Sequence, residues 1–174
     1  MDAVDLGELV IRPVQPAEAE AVSRIYAHYV EHSVATFDTV APGPAEWIAK
    51  VAGITAAGWP VLVAVDGEEV IGFAYTSPWR ARPAYAHTVE DTVYLAPGRV
   101  GRGTGRALLT AVLAGAAAAG AEQSIAVIAD SGDPSSLALH RALGFTEAGR
   151  LRAVGRKHGR LLDVVLLQAS LGSD

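Results

Sequence analysis

There is no cysteine among these 174 residues. That excludes a disulfide, a thiolate metal site and a cysteine nucleophile, and it leaves the compartment open. No run of about 18 apolar residues occurs, so no membrane span is expected. The longest apolar tract, Ala111 to Ala119, is alanine-rich and carries Gly115, so it reads as a close-packed helix face. Positive charge is in deficit: the net charge of −5 argues against nucleic acid as a partner. With no cysteine and five histidines scattered from position 28 to 158, no metal is expected. The opening MDAVDLGELVIRP is acidic and lacks a long apolar run, so it is not expected to be a secretory leader. Cytoplasm is the expected location. Repeats, linkers and a second composition zone are also missing, and one domain over residues 1–174 is expected.

What is present is a chain with 51% hydrophobic and 19% charged residues, the balance of a folded globular protein. It is organised around Val93 to Leu113. The apolar Val93, Tyr94 and Leu95 read as the end of a strand. Gly101, Arg102, Gly103, Thr104, Gly105 and Arg106 make a glycine- and arginine-rich turn. Ala107, Leu108, Ala111 and Val112 then recur at helical spacing. Strand, glycine turn and helix aim free backbone N–H groups and a helix dipole at one anion. The turn therefore reads either as a phosphate cradle or as a plain strand-to-helix connection with surface arginines. A Walker loop is excluded, because Gly-Lys-Ser/Thr is absent. The dinucleotide pattern GxGxxG also fails, and this turn lies past the middle of the chain instead of after the first strand.

The remaining elements follow from periodicity and breakers. Leu9 to Ile11 is a short strand stopped by Pro13. Helices are expected over Pro16 to Val30 and over Pro44 to Ala57, the second with Trp47, Ile48, Val51 and Ile54 on one face. Trp59 to Val65 and Val70 to Thr76 flank an Asp-Gly turn as a hairpin. A long strand is expected over Tyr85 to Leu95, then a helix over Gly105 to Ala119. Ser124 to Ile128 is a buried strand. A short helix spans Pro134 to Leu143, with Asp133 as its N-cap candidate. Phe145 to Val154 and Leu161 to Leu167 form a final strand pair around Lys157, His158 and Gly159. The order β-α-α-β-β-β-α-β-α-β-β predicts an α/β fold with a mixed sheet flanked by helices.

The glycine turn resembles the acetyl-CoA pyrophosphate loop of the GCN5-related N-acetyltransferases (the GNAT family), Arg/Gln-x-x-Gly-x-Gly/Ala. Here Val100 stands at the first position, which removes a side chain and keeps the backbone N–H groups. The element order is similar to that family's, whose sheet splays beside the glycine helix, and the resemblance implies acetyl-CoA in the splay. Within the family the chain resembles the phosphinothricin and methionine sulfoximine acetyltransferases. Four blocks carry this: Thr36-Phe37 with Ser77 to Arg82, Thr88 to Tyr94, Leu139 to Phe145, and Val154 to Asp163. A homodimer is implied as well.

The resemblance implies site residues, and each has a chemical reason. An α-amine is mostly protonated at neutral pH, so a base must take its proton. Glu90 is the candidate. On its strand Val89, Asp91 and Val93 share one face, and Glu90, Thr92 and Tyr94 the other. His140 stands where much of the family has the tyrosine that protonates the departing sulfur. It is read either as that acid or as a second base. Backbone at Val93, Tyr94 and Leu95 is implied to hold acetyl-CoA and polarise its carbonyl. Asp133 stands where the family has an Asn on the CoA arm, but a carboxylate cannot donate as Asn does. Arg80 and Arg82, with Phe37 and Thr92, are implied to hold a small amine substrate, two guanidinium forks suiting its anionic groups. The expected activity is acetyl transfer to the α-amine of an amino acid analogue. The alternatives are another amine (a peptide N-terminus, a polyamine or a drug) or a non-catalytic acyl-CoA-binding domain.

Overall fold

A computed structural model describes residues 9–172. The segment 1–8, most of the stretch read above as no leader, lies outside the described residues. The elements are β1 (Leu9–Pro13), α1 (Ala19–His32), α2 (Pro44–Ala56), β2 (Val61–Asp66), β3 (Glu69–Pro78), β4 (Thr88–Leu95), α3 (Thr104–Ala118), β5 (Gln123–Ala129), α4 (Ser135–Ala142), β6 (Thr146–Lys157) and β7 (Arg160–Ser170). Their order is the one the sequence predicts.

The boundaries move where local chemistry intervenes. Pro16–Glu18 forms a 3-10 turn ahead of α1. The Glu18 carboxylate accepts the Gln15 N–H at 2.7 Å and pairs with Arg12, which seats that turn. Pro83–Tyr85 is also a 3-10 turn, so β4 begins three residues later than the apolar pattern suggests. On α2 the buried stripe is Trp47 with Val51 and Ile54. Ile48, expected on that face, is 47% exposed, because it lies one 100° step round the helix from Trp47.

The seven strands form one sheet in the order β1-β2-β3-β4-β5-β7-β6. Every neighbouring pair is antiparallel except β4–β5. α1 and α2 cover one face, packing Val22, Ile25, Tyr26 and Trp47 onto Val63, Phe73 and Tyr75. α3 covers the other, with Leu108, Leu109 and Val112 fully buried over Ala64, Ile71 and Ala74. Burial of each such leucine stabilises the fold by about 1.5–3 kcal/mol. Beside α3, Leu137 of α4 and Leu143 at its C-cap pack onto Ala126, Ile128, Val165 and Leu167.

The parallel pair is what positions the site. β4 and β5 are in register over three residues only: Thr88 with Gln123, Val89 with Ser124 and Glu90 with Ile125. Past that point β4 stays paired with β3 as far as Leu95, and β5 with β7 as far as Ala129. The two strands part, and the sheet opens into a wedge.

Candidate active site in the splayed sheet

The wedge holds a cleft of about 820 Å³. Its walls are β4 from Glu90 to Leu95 and β5 from Ala126 to Ala129. The turn after β4, the end of α1, α4 and the tip of the β6–β7 hairpin close it. The Tyr29 hydroxyl of α1 donates to the Leu95 carbonyl at 2.5 Å and ties the end of β4 to the helix above it.

At one end lies the glycine turn. Gly101 and Gly103 both have φ near +83°, a conformation that L side chains rarely adopt. Gly103 caps α3, whose first helical bond runs from the Ala107 N–H to the Gly103 carbonyl at 3.0 Å. The N–H groups of Thr104, Gly105 and Arg106 precede that bond and carry no helical partner. They sit at the positive end of the helix dipole. Gly101, Gly103, Gly105 and Arg106 line the cleft, as does the exposed Val100. Thr104 is buried and Arg102 is exposed. Arg99 is committed elsewhere, paired with Asp66 and Glu69, and this pins the turn to the β2–β3 hairpin. The set of free N–H groups, dipole and guanidinium fits a pyrophosphate.

Glu90 stands at the last β4–β5 rung, where the wedge begins. It is half-buried, and burial pushes its carboxyl above the ordinary range. Repulsion from Asp91 adds to this, and Arg80 and Lys50 pull the other way. Thr92, Val93 and Tyr94 follow along the same wall. The Tyr94 ring packs edge-on against Tyr26 at 5.2 Å and tilted against Tyr29 at 5.0 Å. Arg80 lies over the Trp79 ring at 4.5 Å, and Arg82 is exposed at the start of the turn before β4. The Phe37 ring rests on Gly155, where an added Cβ would meet it at 2.3 Å, and lies outside the residues that line the cleft.

His140 is buried in the floor of the cleft. Its Nδ1 is 2.8 Å from the Ser136 carbonyl, and its Nε2 is 2.7 Å from Oδ1 of Asp91. Asp91 also accepts the Ser124 hydroxyl at 2.8 Å. Burial is the largest influence on the imidazole and opposes its charge. The Asp91 bond and field, with the Ser136 carbonyl, together outweigh burial and hold its pKa above the ordinary value. Asp133 lines the cleft too. It lies one residue outside the helical cap position, held by Pro134, and there accepts the Ser135 N–H at 2.9 Å.

Three neighbours of the site, Asp91, Lys50 and Tyr29, were missed by sequence reasoning. Asp91 did carry a signal: strand alternation places it on the buried face with Val89 and Val93, where a carboxylate must find donors. Lys50 of α2 donates to the Tyr75 hydroxyl at 2.8 Å, on the face that also carries Glu90. Tyr29 reads only as an apolar helix position. Lys157, with His158, reads as part of a hairpin that could close over the substrate or face a partner subunit; its buried ammonium donates to the Thr36 carbonyl at 2.8 Å. The neighbouring His158 lines the cleft.

Comparison with known proteins agrees with this geometry. Residues 22–145 match the sequence model of the acetyltransferase (GNAT) family. The chain is 42% identical over 163 residues to the phosphinothricin N-acetyltransferase of Alcaligenes faecalis, covering 94% of this chain and 83% of that protein. It is 33% identical to the L-methionine sulfoximine/L-methionine sulfone acetyltransferase of Salmonella typhimurium, covering 94% of this chain and 95% of that protein. Among solved structures, a phosphinothricin acetyltransferase from Sinorhizobium meliloti in complex with acetyl-CoA superposes with a TM-score of 0.90. That match has 42% identity and covers 94% of this chain and 89% of the other.

Proposed function

This chain belongs to the acetyltransferase (GNAT) family, and we propose that within it the protein acetylates the α-amine of small amino acid analogues of the phosphinothricin and methionine sulfoximine type. Acetyl-CoA is the donor and supplies an activated acetyl thioester. One observation carries the reading: Glu90 stands at the rung where β4 and β5 part, at the opposite end of the same cleft from the glycine turn. An anion held at the turn and an amine held at Glu90 would lie in one continuous channel.

Each residue then has a task. The free N–H groups at Thr104, Gly105 and Arg106, with the Arg106 guanidinium, take the pyrophosphate. Gly101 and Gly103 let the backbone approach it, Arg102 adds charge outside the cleft, and Asp133 borders the arm. Val93, Tyr94 and Leu95 offer backbone to the thioester carbonyl, a contact that gains strength in a dry cleft. Glu90 removes the amine proton. Its raised pKa makes it a better base than an exposed carboxylate and brings it nearer the working pH. Arg80 and Arg82 hold the substrate's anionic groups, Thr92 lines its path, and Phe37 backs the hairpin that borders it. His140 is the second proton-carrying group. The reaction draws on the cytoplasmic acetyl-CoA pool, and acetylation of phosphinothricin would protect a host that carries the enzyme.

A homodimer is part of this reading. β6 is an edge strand of 12 residues, and its hairpin exposes Leu151, Val154 and Leu161 at 46%, 56% and 58%. An edge strand that is unpaired among the described residues and carries these exposed apolar side chains is a pairing surface. Light scattering should give twice the chain mass, and a charged residue at Leu151 should halve it.

The deciding experiment is thiol release from acetyl-CoA against phosphinothricin, methionine sulfoximine, methionine sulfone, ordinary amino acids, a polyamine and a short peptide. Turnover confined to the first three is expected. Equal turnover of the polyamine or the peptide would overturn the substrate class.

A further inference from the structure

We propose that Asp91 is the positioning residue of His140: it holds the imidazole doubly protonated, so that His140 enters the reaction as a cation and a proton donor and never as the base. The inference rests on the acetyl-transfer reading above for its role, and on the buried geometry alone for its charge.

The hydrogen-bond inventory is closed. The partner of Nδ1 is the Ser136 carbonyl, which only accepts, so Nδ1 carries a hydrogen. The partner of Nε2 is a carboxylate oxygen at 2.7 Å. The other oxygen of that carboxylate already receives the Ser124 hydroxyl. With Nδ1 protonated and the imidazole pKa held above its ordinary value by this contact, the shared proton sits on Nε2, so Asp91 accepts at both oxygens and Nε2 donates as well. Both ring nitrogens are donors, and the ring has no lone pair left with which to take a proton. The side chains of His140 and Asp91 are 4% and 1% exposed, so water does not compete for either bond.

The surroundings add no rival charge. From β4 the contact is Asp91, from β5 it is Ser124, and from within α4 it is the Ser136 carbonyl. The Phe145 ring meets the imidazole edge-on at 5.0 Å. Glu90 and Arg106 line the same cleft, and neither hydrogen-bonds to His140. Asp91 is thus the group that sets the charge of the ring.

The chemistry follows from the proton count. The ammonium first loses one proton through Glu90 to solvent; the neutral amine nitrogen then bonds to the acetyl carbon, and the carbon–sulfur bond breaks with its electron pair on sulfur. The surplus amine proton goes to Glu90. Sulfur takes a proton from His140, whose Nε2–H must swing from Asp91 into the cleft that the residue lines, leaving amide and free thiol. Solvent then removes the proton from Glu90 and returns one to the imidazole. Two groups share the work, and adjacent strand residues assign it. Glu90 on one face is the base, and Asp91 on the other makes His140 the acid.

The test begins with the wild-type protein and no substrate. Nitrogen-15 NMR of the histidine rings should show both nitrogens of His140 protonated well above pH ~6.5, where an ordinary imidazole has given one up. In Asp91→Asn the amide can donate to Nε2, so the ring should become neutral with its hydrogen on Nδ1. In that variant the alkaline limb of kcat should move down by roughly one pH unit or more, with kcat about tenfold lower on the alkaline side and partly restored toward acid. KM for acetyl-CoA should stay within about twofold, since Asp91 makes no contact with the glycine turn. A neutral His140 ring in the wild type overturns the inference, as does an Asp91→Asn variant whose alkaline limb stays in place. If Asp91→Asn does not fold, the wild-type titration decides. A wild type that acetylates none of the amine panel would sink the proposed substrate class and leave the NMR result standing.

Discussion

Glu90 and Asp91 are adjacent on β4 and serve opposite faces of the sheet. Glu90 looks into the wedge with no hydrogen-bond partner among the described residues, whereas Asp91 is buried between Ser124 and His140. One peptide unit separates a carboxylate left free to react from one fully committed to structure. The two respond differently to substitution.

Glu90→Gln should lower turnover by about 10²–10⁴ and leave acetyl-CoA binding by calorimetry unchanged. It should also stabilise the fold at neutral pH. The carboxyl has a raised pKa, so folding is favoured while it is protonated; that advantage is complete below the ordinary carboxylate value of about 4.3 and is lost as pH rises from there through the raised value. At neutral pH the wild type carries a charge that burial disfavours, and Gln does not. A variant that loses turnover with no gain in Tm would contradict the burial account of Glu90.

His140 predicts the alkaline behaviour of the whole protein. Its folded pKa is raised, so its contribution to stability is complete below the ordinary imidazole value of about 6.5 and disappears as pH climbs through the raised value. Urea denaturation at steps from neutral to alkaline pH should show stability falling over that window. His140→Gln should be less stable at the acid end and flat across the window. A wild-type curve that is flat there would remove the charged pair from the account.

Gly72 faces the crowded underside of β4. A Cβ there would sit 2.7 Å from the Leu95 side chain, 3.0 Å from Leu108 and 3.1 Å from the Tyr94 carbonyl. Gly72→Ala should cost about 1–3 kcal/mol by overpacking. It should also weaken acetyl-CoA binding, because the residues it displaces form the cleft wall. Lost stability with unchanged acetyl-CoA affinity would show that the core absorbs the strain without moving β4.

Lys157 clamps the β6–β7 hairpin to the loop after α1 through the Thr36 carbonyl. Thr36 in turn hydrogen-bonds with the Tyr26 hydroxyl at 2.7 Å. Lys157→Met keeps the stem and removes the donors, so it should cost about 1–3 kcal/mol for the carbonyl left unpaired. Amide exchange should speed up at the hairpin tip ahead of the rest of the sheet. Uniform exchange across β6 and β7 would mean the clamp is redundant.

Much of this was legible from the chain, and the parts that were not share a cause. The glycine turn, the helix after it and the strand before it are local patterns, and periodicity finds them. The tight tip of the last hairpin is local as well. The insertion of β7 between β5 and β6 is not, because it depends on which apolar strand meets which. The Asp91–His140 pair joins positions 49 residues apart, and the Asp91–Ser124 pair joins positions 33 apart. Strand alternation could place Asp91 indoors but could not name its partners. The turn at Pro83–Tyr85 shortened a strand that composition alone extends, since proline fixes the backbone before the apolar run begins. Phe37 shows the same limit: its aromatic character suggested a pocket wall, and Gly155, more than a hundred residues on, offered it a flat backbone to lie on.

The three-residue register between β4 and β5 has a mechanical meaning. Every other strand pair in the sheet is joined over at least five residues. The sheet is therefore two plates, β1 to β4 and β5 to β7, riveted at one short seam. Load placed on the fold, by heat or by pulling its ends, should open it at that seam first. A molecule wedged across the gap, touching both plates, would act as the missing rivets.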